Sequence, residues 1–239
     1  MRLTLALFIV ALAGSLPGAA AAQQAPEAVF EDFTQDTVGA SPLAFETPVG
    51  FWSVGTVDGV KPLLFEDGRQ FKSGSANLLA DQAKALYGDR WAEFVDDLSE
   101  TAYYPIAVFK RLENFSNGRI TMRFMIIGGD VDQDIAIMFN YKTNGDYIAI
   151  RSDTQENNML LYQWIQGQPT SLKRTRDVPT SFGEWHDQTL VVYGTQMSAF
   201  LDGKKYMDAD LPEPVSGRIG VWAKTDTVAL IDALVVEPE

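Results

Sequence analysis

Cysteine is absent from this chain and histidine occurs once, at His186. No thiolate can therefore act as a nucleophile or a metal ligand, and no two-histidine metal site can form. Positive charge is scarce as well, with 19 Lys and Arg against 32 Asp and Glu, a formal net charge of −13. Such a surface repels nucleic acid and anionic lipid. It suits neutral or cationic ligands, and after them divalent cations. Phosphate-binding loops, dinucleotide fingerprints and the G-x-S-x-G and H-E-x-x-H motifs are all missing.

The first residues read as an export signal. Met1-Arg2 is a short basic start, Leu3 to Leu16 is apolar, and Ala19 to Ala22 offers small residues for cleavage before Gln23. The run is too short, and too soon followed by Pro17 and Gly18, for a membrane span. No Cys follows to carry a lipid anchor. The expected organisation is a signal peptide over 1–22, then one domain over 23–239, periplasmic or extracellular, with no membrane insertion after cleavage. Arg2 is the only charged residue removed, so the mature chain would carry 18 basic and 32 acidic residues, net −14.

Arg119 to Gln166 holds the densest strand signals. Asn144-Gly145 separates two alternating runs, and a two-residue type I′ hairpin is predicted there. In that register Thr143 faces Asp146, Tyr141 faces Ile148, Phe139 faces Ile150 and Met138 faces Arg151. Alternation puts Ile135, Ile137, Phe139, Tyr141, Ile148 and Ile150 on a core face. Ala136, Met138, Asn140, Lys142, Tyr147, Ala149 and Arg151 share the other. On the preceding strand Ile120, Met122, Phe124 and Ile126 alternate with Arg123 and its neighbours, which predicts Arg123 on the polar face near Arg151.

Elsewhere short strands recur between turn residues. Val29–Phe33, Gly50–Val57, Pro62–Phe65, Ile106–Phe109, Trp185–Gly194, Gln196–Leu201, Ser216–Lys224 and Thr227–Glu237 are predicted strands, and Asp202-Gly203 is a second hairpin signal. Thr34 to Pro48 reads as loop. Leu79, Ala83, Leu86, Phe94 and Leu98 approximate a helical stripe, so a short helical insertion is expected near 77–98. The fold class is all-β, a two-sheet antiparallel sandwich.

Several of these pieces, in this order, carry a resemblance. They are Phe115-Ser116-Asn117-Gly118-Arg119-Ile120, Gly145-Asp146-Tyr147-Ile148-Ala149-Ile150-Arg151, Trp185-His186, Phe200-Leu201-Asp202-Gly203, Gly217-Arg218-Ile219-Gly220-Val221-Trp222 and Ile231-Asp232-Ala233-Leu234. The chain resembles the concanavalin A-like, laminin-G-like jelly rolls, and among them the bacterial domain family named for 3-keto-disaccharide hydrolases. The resemblance implies two curved sheets with ligands on the concave face or at the loop rim. It also implies a possible glycoside hydrolase acting on 3-keto-glycosides, whereas the E-x-D-x-x-E strand of family-16 glycoside hydrolases is absent.

The candidate ligand-binding residues are Arg123, Asn140, Tyr147 and Arg151, which offer directional hydrogen bonds and a ring face to a carbohydrate or related polyhydroxy ligand. Tyr162 and Trp164 can add a stacking platform, although core packing claims at least one of them. Asp130, Asp132 and Asp134 are spaced D-x-D-x-D and can converge on Ca²⁺, against the plainer reading of an exposed acidic loop. His186 can be a general base or a rim structural residue. The favoured reading is an exported, lectin-like binder that holds its ligand on the concave sheet face. A glycoside-active enzyme and an interaction scaffold are the alternatives.

Overall fold

Fifteen strands, all antiparallel where paired, were observed in a computed structural model that describes residues 27–57, 61–67, 104–129 and 132–239, with 61–67 described as backbone only. They are β1 (Val29–Glu31), β2 (Phe45–Val49), β3 (Trp52–Val57), β4 (Lys61–Asp67), β5 (Ile106–Phe109), β6 (Gly118–Gly128), β7 (Asp134–Tyr141), β8 (Tyr147–Asp153), β9 (Asn158–Ile165), β10 (Gln168–Arg176), β11 (His186–Tyr193), β12 (Gln196–Leu201), β13 (Lys204–Asp210), β14 (Arg218–Ala223) and β15 (Val228–Pro238). No helix occurs among the described residues. The predicted signal segment and the 77–98 insertion lie outside them.

The strands form two sheets. An eight-stranded sheet runs β13-β12-β11-β6-β15-β4-β3, with β1 also paired to β15, and a seven-stranded sheet runs β10-β9-β8-β7-β14-β5-β2. Alternation dictates which side chains meet between them. Ile120, Met122, Phe124 and Ile126 from β6 join Leu190 and Val192 from β11 and Leu234 and Val236 from β15. Ile135, Ile137 and Phe139 from β7, Ile148 and Ile150 from β8, and Met159 and Leu161 from β9 face them. The result is an all-β sandwich, as the pattern predicted, and a jelly roll, as the resemblance implied.

The β7–β8 hairpin departs from its predicted form. Gly145 N donates to Lys142 O at 3.0 Å and Lys142 N donates to Asp146 O at 2.9 Å. Of the Asn-Gly pair only Gly145 has positive φ, at 85°. The loop is therefore Thr143–Asn144–Gly145, a three-residue connection with Gly in the left-handed position, not the two-residue type I′ turn. Asn144 braces it through Oδ1, which accepts from Asp146 N at 3.1 Å. Phe139 consequently faces Ile148, Ile137 faces Ile150, Met138 faces Ala149, and Arg151 faces Ala136. The pairing moves by an even step, so most predicted faces survive. Tyr141 is the exception. Asn140 sits at φ 54° where the β7–β14 register shifts. The extra residue of this bulge turns Tyr141 out of the core to the opposite face, beside Tyr147. A type I′ turn does occur at Asp202-Gly203, where φ is 51° and 76°.

Candidate functional site

The outer face of the seven-stranded sheet can be read in rows from the strand registers. One row holds Asn158, Asp153 and Asp134, from β9 to β7, with Lys224 alongside at the end of β14. The next is Leu160, Arg151, Ala136, Trp222 and Ile106. The third is Tyr162, Ala149, Met138, Gly220 and Val108. The last pairs Trp164 with Tyr147, next to Tyr141. The face thus grades from ionic at one end to aromatic at the other.

The aromatic end is packed against itself. Tyr147 stacks on Trp164 with ring centroids 5.6 Å apart, and Tyr104 meets the Trp164 and Trp222 rings edge-on at 4.6 and 5.5 Å. Trp164 is 4% exposed and Trp222 1%. Both indole Nε1 groups are buried without a hydrogen-bond partner among the described residues. Tyr162 is half-buried and carries the Arg151 guanidinium 6.0 Å from its ring centroid. Tyr162 and Trp164 therefore share one face, and packing claims Trp164.

The ionic end is built around Arg151, whose side chain is only 5% exposed. Its Nη1 donates to Asp134 Oδ2 at 3.1 Å, and its Nη2 reaches Asn158 Oδ1 at 2.7 Å and Asp153 Oδ2 at 3.0 Å. Asp153 Oδ1 in turn accepts from the backbone N–H groups of Gln155 and Glu156. Asp134 is held through its own N–H, which donates to Thr227 Oγ1 at 3.0 Å. Burial pushes the Asp134 carboxyl up to about 8, against the opposing pull of the Arg151 cation. Four acids, Asp132, Asp134, Asp153 and Glu156, surround two cations, Arg151 and Lys224, so a proton retained on the most buried acid brings the cluster closer to neutrality.

Asp132 and Asp134 are bridged by Lys224, whose Nζ lies 2.7 Å from Asp132 Oδ1 and 3.7 Å from Asp134 Oδ2. An ammonium thus occupies the position between the two carboxylates of the D-x-D-x-D run. Asp130 lies outside the described residues, and among the described residues no cluster of three or more candidate metal ligands forms.

Arg123 is not part of this face. Strand β6 belongs to the eight-stranded sheet. Arg123 there pairs with Asp187 at 3.3 Å and Asp232 at 3.6 Å and lies over the Trp185 ring. The alternation of β6 was legible, but alternation does not say which sheet a strand joins. His186 is structural. Its Nε2 accepts from Ser181 N at 2.9 Å, which leaves Nδ1 to donate to Asp202 Oδ2 at 2.7 Å. With its acceptor nitrogen occupied, the imidazole has no lone pair for base catalysis.

An open pocket lies at the hairpin end of the sandwich. It has a volume of about 310 Å³ and is lined by Asn140, Lys142, Tyr147, Ile148, Gln163, Ile165 and Glu213, among others. The β7 bulge aims Asn140 into the connection between β13 and β14, where its Nδ2 donates to Glu213 Oε1 at 3.0 Å and its Oδ1 accepts from Ser216 N at 2.9 Å. Lys142 Nζ lies 3.7 Å from the same Glu213 carboxylate. Ile165 is exposed and Gln163 half-buried, and the Gln163 amide makes no hydrogen bond among the described residues. Of the sequence-predicted residues, Asn140 and Tyr147 reach this pocket, while Arg151, Tyr162 and Trp164 do not. Glu213 and Gln163 were missed. Glu213 sits in a Pro-flanked loop, and only the tertiary fold brings it to β7.

No known family model matches the chain, and no curated protein sequence matches it. Solved structures do. The carbohydrate-binding module CBM66 from Bacillus subtilis superposes with a TM-score of 0.54 at 12% identity, covering 81% of this chain and 94% of its own. The Crh5 transglycosylase in complex with NAG gives a TM-score of 0.51 at 13% identity, covering 90% of this chain and 85% of its own. At such identities the likeness is one of fold, and the fold is the concanavalin A-like jelly roll.

Proposed function

We propose that this chain is an exported carbohydrate-binding protein that holds a short stretch of glycan in the rim pocket without turning it over. The observation that supports it is the pocket's lining. Amide, carboxylate and ammonium groups from Asn140, Gln163, Glu213 and Lys142 surround a space of about 310 Å³, with Ile148 and Ile165 as its apolar part. Sugar hydroxyls are donors and acceptors at once, so they can pair with all three kinds of group, and the C–H face of a sugar ring can lie on exposed Ile165. Small-ligand pockets combine such a few convergent polar groups with apolar walls. The fold shared with a carbohydrate-binding module is consistent with the reading. A glycan array probed with the full chain tests it. Hits should weaken roughly tenfold on Gln163→Ala, the loss of one or two hydrogen bonds, with the melting temperature unchanged. An array without hits overturns the reading.

A glycoside-active enzyme, as the resemblance to the 3-keto-disaccharide hydrolases implies, is the second reading. Glycoside cleavage needs an acid and a second carboxyl about 5–10 Å apart on either side of the bond. The Asp134–Asp153 pair, hydrogen-bonded to each other and 1% and 4% exposed, does not supply that arrangement, so this reading rests on the resemblance. Incubating array hits with the protein and analysing the products decides between the two. Cleavage of any hit would support the enzyme.

A further inference from the structure

Seven arginines lie among the described residues, and five of them, Arg111, Arg119, Arg123, Arg151 and Arg218, are ion-paired with carboxylates. The remaining two, Arg174 and Arg176, are exposed and make no hydrogen bond, ion pair or ring contact among the described residues. With 32 acidic residues against 19 basic ones, partners are plentiful, so two unpaired arginines on one strand are not a consequence of composition. Register places them together. Arg174 is opposite Leu160 and Arg176 opposite Asn158, so both stand on the outer face of the edge strand β10. One row further along, half-buried Tyr162 faces the same side. Lys173, just before Arg174 and opposite Leu161, points to the other face, where its Nζ donates to Asp208 O at 2.7 Å.

We propose that the outer face of β10 binds an anionic glycan, with Arg174 and Arg176 holding acidic groups of the chain and Tyr162 offering a ring face to a sugar beside them. The proposal takes its ligand class from the carbohydrate reading above but does not depend on the rim pocket. Alternate residues on a strand are roughly 6.6–6.8 Å apart, so the two guanidiniums present a pair of forks that can each take a carboxylate or sulfate in bidentate fashion. Neither has an internal carboxylate to give up on binding. Being at a sheet edge, the strand leaves room for an extended polymer to lie along it. Nucleic acid fits less well. Its charge density calls for many phosphate contacts, and two arginines on a protein of net charge −13 do not supply them.

The test uses the full chain and polygalacturonate as the probe, by affinity electrophoresis at low salt, with heparin, a neutral β-glucan and duplex DNA as parallel arms. The expected result is retardation by polygalacturonate that fades as salt is raised, and a roughly tenfold or greater loss of affinity in the Arg174→Gln/Arg176→Gln variant. A Lys110→Gln/Lys204→Gln variant, which removes the same charge elsewhere, should bind as the parent does. Tighter binding of heparin would assign sulfate rather than carboxylate to the same site, provided the arginine variant loses it. Undiminished binding by the arginine variant overturns the proposal, as does an equal loss in the lysine variant or equally tight binding of DNA. Retention by neutral glycan alone would overturn it while leaving the rim-pocket reading intact. Binding to no glycan would overturn both. The exposed, unpartnered arginines should leave the thermal melt unchanged, which separates loss of site from loss of fold.

Discussion

Replacing Arg151 with Met should destabilise the protein severely, and the size of the effect follows from its surroundings. The side chain is 5% exposed and touches Asp134 and Asp153, themselves buried. Met fills much of the volume of the arginine stem, so the change removes charge and hydrogen bonds more than packing. Asp153 is left as a buried carboxylate without its cation, and Asn158 loses its 2.7 Å donor. Removing one partner of a buried ion pair costs about 3–5 kcal/mol. For a domain of this size that is a fall of roughly 6–20 °C in Tm. Combining Arg151→Met with Asp134→Asn and Asp153→Asn should restore most of the loss, because the uncompensated charge disappears with its partner. Chemical denaturation of the three proteins at neutral pH is the assay. A single variant within about 0.5 kcal/mol of the parent, the range of ordinary surface substitutions, would refute the view that Arg151 holds the ionic end of the face together.

Asp134 gives a pH test with a definite sign. Its folded pKa, about 8, lies above its unfolded value of 3.8, so the folded state binds the extra proton between those limits. Its contribution to stability is therefore complete below about pH 4 and is lost as pH rises towards 8, at up to about 1.4 kcal/mol per pH unit. Asp134→Asn, which mimics the protonated acid, should match the parent near pH 3 and increasingly exceed it in urea melts as pH rises to 8.5. A gap that does not change with pH contradicts this. Gly220→Ala should cost about 1–3 kcal/mol through overpacking, since a Cβ there would sit 2.3 Å from Ala107 O and 2.8 Å from Met138 Cε. Thermal melts check it, and an unshifted Tm would mean that β5 and β14 can separate without cost.

Much of the sandwich was readable from period-two alternation, because a strand buried on one face has to alternate. β6, β7, β8, β11, β12, β14 and β15 were recognisable for that reason. β10 was not. Its sequence, QPTSLKRTR, is exposed on nearly every residue, and an edge strand with little to bury has no hydrophobic period to show. β2 was hidden among prolines and glycines, and β13 is largely charged. The site was only partly legible. Faces could be assigned, but a bulge at Asn140 moved Tyr141 across the sheet, and no local signal says that β6 crosses to the other layer. Arg151, singled out as a ligand contact on the polar face with an ion pair to Asp153 or Asp134 as the plainer alternative, uses its charge on both of those acids, because four acids brought together from β7, β8 and their loops need a cation at their centre.

The most direct test of the binding account is an NMR titration of the isotopically labelled protein with a panel of neutral and uronic oligosaccharides. Concentration-dependent shifts confined to the rim, at Asn140, Lys142, Gln163 and Glu213, are expected for ligands bound there. A panel that leaves those amides unmoved, or that moves only the Arg123–Trp185 surface of the opposite sheet, would contradict it.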